Sequence, residues 1–454
     1  MSDITADGLV TGSPTRIADV VAKSLVKRRA KEKRFRMYGI AAVAIGIGFV
    51  LLMFGTILNK GLPAFWQSTF RLDVTFDAAA LNLPTRPVRE EGQSMAAFQQ
   101  TLYEWQNQVT MANWNGLIQT SLQKYLPDAK PASRLRALVS SGERFRLRDM
   151  VLADPNLVGQ TVTVDLLADA NVDVWLKGNI DRDLADNQYL LSPDQRAWSD
   201  QLYEQGVIRM AFATSLFTNV DSRSSPASAG LLGAMIGSLF MMLIVILVAV
   251  PIGVLAAIYL EEFAPKNRLT DLIEVNINNL AAVPSIVFGL LGAAVFINWM
   301  KLPLSAPIVG GLVLTLMTLP TIIIATRAAL KAVPPSIRQA ALGLGASRSQ
   351  SVFHHVLPLA RPGILTATII GVAQALGETA PLLLIGMSAF VANVATTPFE
   401  QSTALPVQIY LWQANEARNF FEARTSAAII LLLAMMMMLN AFALVLRRRF
   451  ERRW

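Results

Sequence analysis

Between two long apolar runs lies the stretch Arg338-Gln339-Ala340-Ala341-Leu342-Gly343-Leu344-Gly345, and Leu357-Pro358 follows after eleven further residues. Just before it, Pro334-Pro335-Ser336 can begin a helix with Ser336 as its cap. Gly345 can end that helix because glycine readily adopts a positive φ. We expect Pro358 to stop the apolar segment that follows. The stretch therefore predicts a short amphipathic helix in a polar segment between two apolar spans.

The composition indicates a membrane protein. Of the 454 residues, 53% are hydrophobic and 16% are charged, whereas about 25% of the residues of a soluble domain are charged. Six apolar runs approach or exceed the roughly 20 residues that cross a bilayer. They are Gly39–Leu58, Leu231–Leu260, Leu280–Ile297, Ile308–Ala325, Ile364–Met387 and Ala427–Leu446. We predict six transmembrane helices, of which the first is too late and too long to be a cleaved signal peptide.

Basic residues flank the first and last spans. They are Lys23, Lys27, Arg28, Arg29, Lys31, Lys33, Arg34 and Arg36, then Arg447, Arg448, Arg449, Arg452 and Arg453. Lys and Arg beside a span remain in the cytoplasm, so we expect both termini there, as an even number of spans requires. We interpret these clusters as contacts to membrane lipid and not to nucleic acid. The chain has no cysteine, which excludes disulfides and cysteine-bearing metal sites.

This topology places Asn59–Ala229 outside the cytoplasm. Ser94–Trp114 has apolar residues at helical spacing, and Thr161–Leu167 and Asn171–Leu176 alternate like strands. We therefore predict a small inserted α+β domain, whose role as a spacer, a brace or a docking surface stays open. Its acidic residues lack the central glycine and closing glutamate of a calcium-binding EF-hand loop, so we interpret them as solvated: Asp181, Asp183, Asp186 and Asp194.

A carboxylate lies inside the fifth apolar run, in the sequence Leu376-Gly377-Glu378-Thr379-Ala380-Pro381-Leu382. A charge at membrane depth is costly, so Glu378 is either a functional residue or a paired structural acid at a subunit interface. Pro381 has no N–H and presses on the carbonyl group four residues back, which predicts a kink that frees backbone groups toward a pathway. Gln374 and Thr379 can donate neutral hydrogen bonds nearby.

Motifs for enzyme chemistry are absent from the sequence. There is no G-x-x-x-x-G-K-[ST] phosphate-binding loop, so we do not expect this chain to hydrolyse ATP. There is no G-x-S-x-G or H-E-x-x-H motif either. Met435–Met438 lies in an apolar run and is interpreted as core or lipid-facing. We predict no catalytic residue, no metal site and no cofactor.

The spacing of Ala340-Ala341, Gly345 and Leu357-Pro358 resembles the EAA loop of ABC-transporter permeases, whose coupling helix fits a cleft in a cytoplasmic ATPase. The resemblance implies an ATPase coupling site formed by Arg338, Gln339, Ala340, Ala341, Gly345, Leu357 and Pro358. Gln339 stands where the family usually has Glu, and His355 where it has an apolar residue. We therefore expect docking to depend on shape more than on an ion pair.

Together with Gly377–Leu382, residues 230–454 resemble the A-type permease subunits of bacterial phosphate-specific (Pst) ABC importers, in the subgroup with a long periplasmic insertion. This implies an all-α polytopic membrane protein with six transmembrane helices, the type I ABC importer permease fold and the inserted α+β domain. It also implies a substrate pathway at Gln374, Glu378, Thr379 and Pro381. Gln374 stands where relatives are expected to carry Arg, so the positive partner of the anion is expected from a neighbouring subunit.

The implied function is import of inorganic phosphate across the inner membrane by alternating access. The implied partners are a homologous C-type permease subunit, a cytoplasmic ATPase dimer and a periplasmic phosphate-binding protein. Glu378 would either accept a hydrogen bond from protonated phosphate, in discrimination against sulfate, or pair with an Arg of the partner permease. The implied regions are a basic cytoplasmic tail (1–36), the first transmembrane helix (37–58), the periplasmic insertion (59–229), a permease core (230–446) with the coupling loop 327–362, and a second basic cytoplasmic tail (447–454).

Three other functions stay open. A permease for another oxyanion, such as molybdate, sulfate or phosphonate, would keep the polar loop but not usually the Gly-Glu-Thr-Ala-Pro sequence. An ion-coupled transporter would show inverted repeats and broken helices in both halves, whereas this sequence has one clear polar break. A membrane sensor would use the external domain and would not need an ATPase-docking loop.

Overall fold

The computed structural model of the protein describes residues 14–450, apart from 90, 181, 183–189, 223, 390 and 392, with the side chains of 14–23, 26, 27, 418, 446 and 450 also excluded. The predictions for Asp181, Asp183, Asp186 and the outermost parts of both tails fall outside the described residues. The chain forms two compact units, residues 1–59 and 60–454. Helix α1, Pro14–Gly61, contains the first predicted span and also the basic segment that precedes it.

The inserted domain follows α1 and contains three strands. Its elements are β1 (Trp66–Thr75), α2 (Ala78–Leu81), α3 (Met95–Met111), α4 (Trp114–Gln123), α5 (Ala132–Arg136), α6 (Glu143–Ala153), β2 (Thr161–Leu167), α7 (Ala170–Leu176), α8 (Pro193–Glu204), β3 (Ile208–Phe212) and α9 (Ser215–Thr218). The sheet has the order β2-β1-β3, and both strand pairs are antiparallel. Phe70, Leu72 and Val74 alternate along β1 and are fully buried in the domain core. The predicted α+β class is confirmed.

Local predictions in this domain have mixed outcomes. The helix predicted within Ser94–Trp114 is present as α3, and the strand predicted at Thr161–Leu167 is β2. The strand predicted at Asn171–Leu176 is wrong, because these residues form α7. The carboxylate of Asp169 accepts a hydrogen bond from the N–H of Asn171 and so caps the helix. This cap and the burial of the four consecutive residues 172–175 in helical form outweigh the strand preference of the valines.

The remaining helices form the membrane region. They are α10 (Leu232–Ile258), α11 (Arg268–Ala281), α12 (Ser285–Gly292), α13 (Pro307–Lys331), α14 (Pro335–Gly343), α15 (Arg348–Ser351), α16 (Leu357–Leu376), α17 (Ala380–Leu384), α18 (Leu405–Gln413) and α19 (Arg418–Phe450). The described residues include five helices that are long and apolar enough to cross a membrane, or six if one bent pair counts as a single span. Helices α10, α13 and α16 pack together through buried Val245, Val313 and Val372. The predicted all-α membrane region is therefore present.

The third predicted span, Leu280–Ile297, is not one straight helix. Helix α11 ends at Ala281, and the next helix starts at Ser285 and continues into a π-helical turn at Ala293–Trp299. The two segments are bent by 102°. Pro284 lies at the junction, where its missing N–H and its effect on the preceding residue end α11.

The stop predicted at Pro358 is also wrong. Helix α15, a π-helical turn at Val352–Val356 and α16 are continuous from Arg348 to Leu376. In the π turn, the N–H of Leu357 bonds to the carbonyl oxygen of Val352, five residues back. The backbone hydrogen bonding is thus already shifted where Pro358 lacks its donor, so the proline is accommodated.

Arg424 joins the start of α19 to the inserted domain. Its guanidinium donates to the carbonyl oxygens of Ala227 (2.9 Å) and Ala229 and to Oε1 of Gln67 (3.0 Å). The guanidinium also lies 4.7 Å from the centre of the Phe420 ring. The residue is only 2% exposed, so these acceptors replace the water that its charge would otherwise need.

We expect Arg424→Met to destabilise the protein by about 2 kcal/mol or more, because buried acceptors lose their donor. The measurement is the apparent melting temperature of the full chain in detergent. The matched control is Arg134→Met, because Arg134 forms an exposed pair with Asp194 and such pairs contribute little. Equal melting temperatures for the Arg424 and Arg134 variants would contradict the assigned role.

Gly237 marks the closest approach of α10 to the chain before α18. A Cβ atom at Gly237 would overlap the carbonyl oxygen of Thr403 and the hydroxyl of Ser402. The adjacent Ser238 hydroxyl accepts a hydrogen bond from the N–H of Leu405 at 2.9 Å. The segment that leads into α18 is therefore held directly against the α10 backbone.

Gly237→Ala should lower the stability of the full chain by about 1–3 kcal/mol through overpacking, with a reduced melting temperature as the readout. Gly46→Ala in α1 is the control, because no atom lies within 4 Å of a Cβ at that position. A Gly237→Ala protein as stable as the control would show that the segment moves away freely.

Candidate functional site

The predicted site residues lie in two separate groups. One surrounds the end of α16, and the other includes α14 and the start of α16. Helix α16 has 20 residues, so it places about 30 Å between the two groups. The structure brings residues together within each group but does not bring the groups into contact.

The first group lies at an interruption of the helix backbone. Helix α16 ends at Leu376, and α17 begins at Ala380. The predicted kink near Pro381 is thus a complete break at Gly377–Thr379, and the fifth span ends as a regular helix well before Met387. Pro381 cannot donate to the carbonyl group of Gly377, which favours the end of the helix here.

Side chains at this break differ in exposure. Gln374 is exposed, and its Oε1 lies 3.4 Å from the hydroxyl of Thr321, which donates to it. Glu378 and Thr379 are half-buried. Within the described residues, no hydrogen bond or ion pair involves the Glu378 carboxylate. The break therefore presents an uncompensated acid beside neutral hydrogen-bonding groups.

Pro381 has a different position from the other three residues. It is buried, and a Cβ at Gly289 of α12 would lie 2.7 Å from its Cα atom. Helices α12 and α17 therefore meet at this glycine and this proline. Pro381 shapes the break by ending α16 and by packing α17, whereas Gln374 and Glu378 are accessible to a solute.

The second group is built around α14. The prediction that Ser336 caps this helix is wrong, because Pro334 is the N-cap residue and makes no side-chain cap bond. The predicted positive φ of Gly345 is confirmed at +86°. The N–H groups of Gly345 and Ala346 bond to the carbonyl oxygens of Leu342 (2.9 Å) and Ala341 (3.1 Å). This is the glycine-terminated helix end expected from the sequence.

The surface of α14 is divided. Gln339 and Ala340 are exposed, whereas Ala341 is buried against the protein. Leu344, just past the helix, is 90% exposed. Leu357 and Pro358 are half-buried at the start of α16 and do not share the exposed face. Of the predicted coupling residues, Gln339 and Ala340 are therefore the ones on α14 most open to a partner.

Arg338 is not part of that open face. Its guanidinium bonds to both carboxylate oxygens of Glu262, with the shortest distance 2.5 Å. It also donates to the carbonyl oxygens of Val333 (2.7 Å) and Leu330 (2.9 Å). Nearby, Arg327 bonds to Glu261 (3.3 Å) and to Glu274 (2.7 Å).

Glu261 and Glu262 were not predicted as site residues. They lie in the π-helical turn Tyr259–Phe263, directly after α10. The available signal was two adjacent acids at the end of an apolar run, with arginines at the end of another run. Their pairing depends on contacts between residues 66 and 76 positions apart, which local periodicity does not reveal.

Two known families match the sequence. Residues 22–186 match a domain of unknown function (DUF3333). Residues 249–454 match the family described as "binding-protein-dependent transport system inner membrane component". The second match contains both groups of predicted site residues.

Individual relatives agree with this assignment. The probable ABC transporter permease protein YqgI of Bacillus subtilis is 30% identical over 229 residues, which cover 46% of this chain and 73% of the relative. The phosphate transport system permease protein PstA of Haemophilus influenzae is 34% identical over 209 residues, covering 45% of this chain and 71% of the relative. PstA of Yersinia pestis is 32% identical over 207 residues, covering 45% and 68%.

Among solved structures, an inward-facing MetNI methionine ABC transporter is similar with a TM-score of 0.38 and 17% identity, and the match covers 49% of this chain and 94% of that chain. From the identities to YqgI and PstA, over more than two thirds of each relative, we conclude that this chain belongs to the ABC transporter permease family, as an inner membrane component of a binding-protein-dependent transport system.

Proposed function

We propose that this chain is the permease subunit of an ATP-driven importer that moves inorganic phosphate by alternating access. The observation that carries the proposal is the 34% identity to a phosphate transport permease, PstA. The matched family region, residues 249–454, includes the α14 segment and the break after α16. Permease subunits are not themselves enzymes, and we assign ATP hydrolysis to a separate ATPase dimer.

The chain is a multi-pass protein of the inner membrane, and we propose that both termini are cytoplasmic. The clusters of Lys and Arg beside the first and last spans support this orientation. Helix α10 has 27 residues, so its ends are about 40 Å apart. The inserted domain meets its start and α14 lies near its end, which fits a periplasmic domain and a cytoplasmic α14.

The substrate pathway of this proposal passes the break after α16. Glu378 would accept a hydrogen bond from a hydroxyl of hydrogen phosphate, which fully ionised sulfate does not carry. Gln374 and Thr379 would supply neutral hydrogen bonds. Pro381 holds the break open through its packing on Gly289. The cation that balances the phosphate charge would come from the homologous C-type permease subunit.

The energy for transport would enter through α14. The small side chain of Ala340, with Gln339 beside it, allows a partner surface to approach the helix closely. We assign this face to the ATPase dimer, and we assign the delivery of phosphate to a periplasmic binding protein. The inserted domain 59–229 is available as an additional external contact.

Glu378→Gln should reduce phosphate uptake by about tenfold or more, because a neutral amide replaces the charged acceptor and weakens the hydrogen bond from the phosphate hydroxyl. Uptake of labelled phosphate is measured in cells that lack this chain and carry either wild type or the variant. Glu400→Gln is the control, since Glu400 is exposed and bonds locally to Thr396 and Thr397. Excess sulfate should inhibit the Glu378 variant more than wild type. Full uptake and unchanged selectivity in Glu378→Gln would remove this residue from the mechanism.

Gly345→Ala should weaken ATPase co-purification, because an L-residue in the left-handed region costs about 1–2 kcal/mol and disturbs the end of α14. The control is Gly343→Ala, where a Cβ also meets no atom within 4 Å but φ is not positive. The amount of ATPase retained on the purified permease is the measurement. Normal retention by Gly345→Ala would show that docking does not depend on the geometry of this turn.

A further inference from the structure

Two adjacent carboxylates connect the end of α10 directly to α13 and α14, and through an arginine of α13 to α11. Glu261 forms an ion pair with Arg327 of α13, and the same arginine forms a second ion pair with Glu274 of α11. Glu262 forms an ion pair with Arg338 of α14. Successive residues of a helical turn point in different directions, so the two acids bind different partners.

The pair Glu262–Arg338 has the geometry of a strong ion pair. The guanidinium contacts both carboxylate oxygens, at 2.5, 3.1 and 3.2 Å. The side chains are 8% and 23% exposed. A two-pronged, charge-assisted contact in a partly water-free site holds its partners in one orientation, unlike an exposed pair between flexible side chains.

Arg338 also forms hydrogen bonds with the backbone at the C-terminal end of α13. Its remaining donors reach the carbonyl oxygens of Leu330 and Val333, in and just beyond the last turn of that helix. The Leu330 oxygen also accepts a hydrogen bond from the N–H of Val333 at 3.3 Å, so the arginine is an additional donor at the end of the helix. One guanidinium therefore fixes α14 to α10 through Glu262 and to α13 through the backbone. Beside it, Leu330, Val333 and Val356 form a buried apolar cluster.

We propose that the Glu262–Arg338 pair transmits the movement of α14 to α10 and α13 during transport. Arg338 is then a positioning residue inside the permease and not a contact for the ATPase. The inference rests on the proposed function, because it takes α14 as the ATPase docking helix. A pair that only stabilised the fold would change the amount of transporter, but not the number of ATP molecules hydrolysed per phosphate moved.

The test uses the complete transporter, with ATPase and binding protein, in proteoliposomes. Arg338→Gln, Glu262→Gln and the double variant are compared with wild type for ATP hydrolysis and for phosphate uptake. We expect the ATPase to remain bound and active, while uptake per ATP falls by about tenfold, which is typical of a lost coupling free energy. The double variant should be no worse than Arg338→Gln alone, because Glu262 acts through that arginine. Lys266→Gln, which removes an exposed charge near the same end of α10, is the control.

An unchanged ratio of uptake to hydrolysis in both single variants would overturn the inference. If wild type itself moved no phosphate, the proposed function would fail instead, so the two failures are distinguishable. Should Arg338→Gln not assemble, Glu262→Gln provides the same ratio with the guanidinium and its carbonyl contacts retained.

A second measurement reports the distance between α14 and α10 directly. The chain has no cysteine, so spin labels can be placed at Ser336→Cys and Leu255→Cys, both exposed positions. The distance between these labels should stay constant with and without ATP in wild type, because α14 and α10 move together. It should change with ATP in the Glu262→Gln background. A distance that varies equally in both proteins would contradict the link.

Discussion

No water is available in the bilayer core to bond the backbone, so a chain that crosses it must satisfy its own N–H and C=O groups. Long helices do this, and α10, α13, α16 and α19 have that form. A membrane helix can therefore be interrupted only where other parts of the protein surround the freed N–H and C=O groups or bond to them. The described membrane region has π-helical turns at Tyr259–Phe263, Ala293–Trp299 and Val352–Val356. Each adjoins the end of a regular helix, and the break after α16 packs against α12.

Much of this arrangement follows from local sequence. Apolar runs of bilayer length predict the spans, and Gly345 predicts the end of α14, because both signals act within a few residues. The incorrect or missed predictions have two causes. Either a neighbouring residue favours a different local structure, or the contact joins residues that are far apart in the sequence. Asp169 caps α7 and overrides a strand pattern. Pro284 lies where one helix ends and the next begins, whereas Pro358 follows a π turn within a continuous helix. The pairing of Arg338 with Glu262 arises only when α10 and α13 lie side by side.

Arginine side chains make similar contacts near both ends of α10. Arg338 near its end and Arg424 near its start each bond to backbone carbonyl oxygens of a neighbouring segment. Arg338 adds a carboxylate, whereas Arg424 relies on neutral acceptors and the ring of Phe420. Arginine suits both positions, since its planar fork meets several acceptors at once.

The contact of Arg424 gives the inserted domain three points of attachment. The domain is continuous with the chain at both of its ends, and Arg424 adds a third attachment on α19. The guanidinium binds Gln67 at the start of β1 and also the backbone at Ala227 and Ala229, after the last α-helix of the domain. A single buried cation on α19 therefore holds together the two segments by which the chain enters and leaves the insertion.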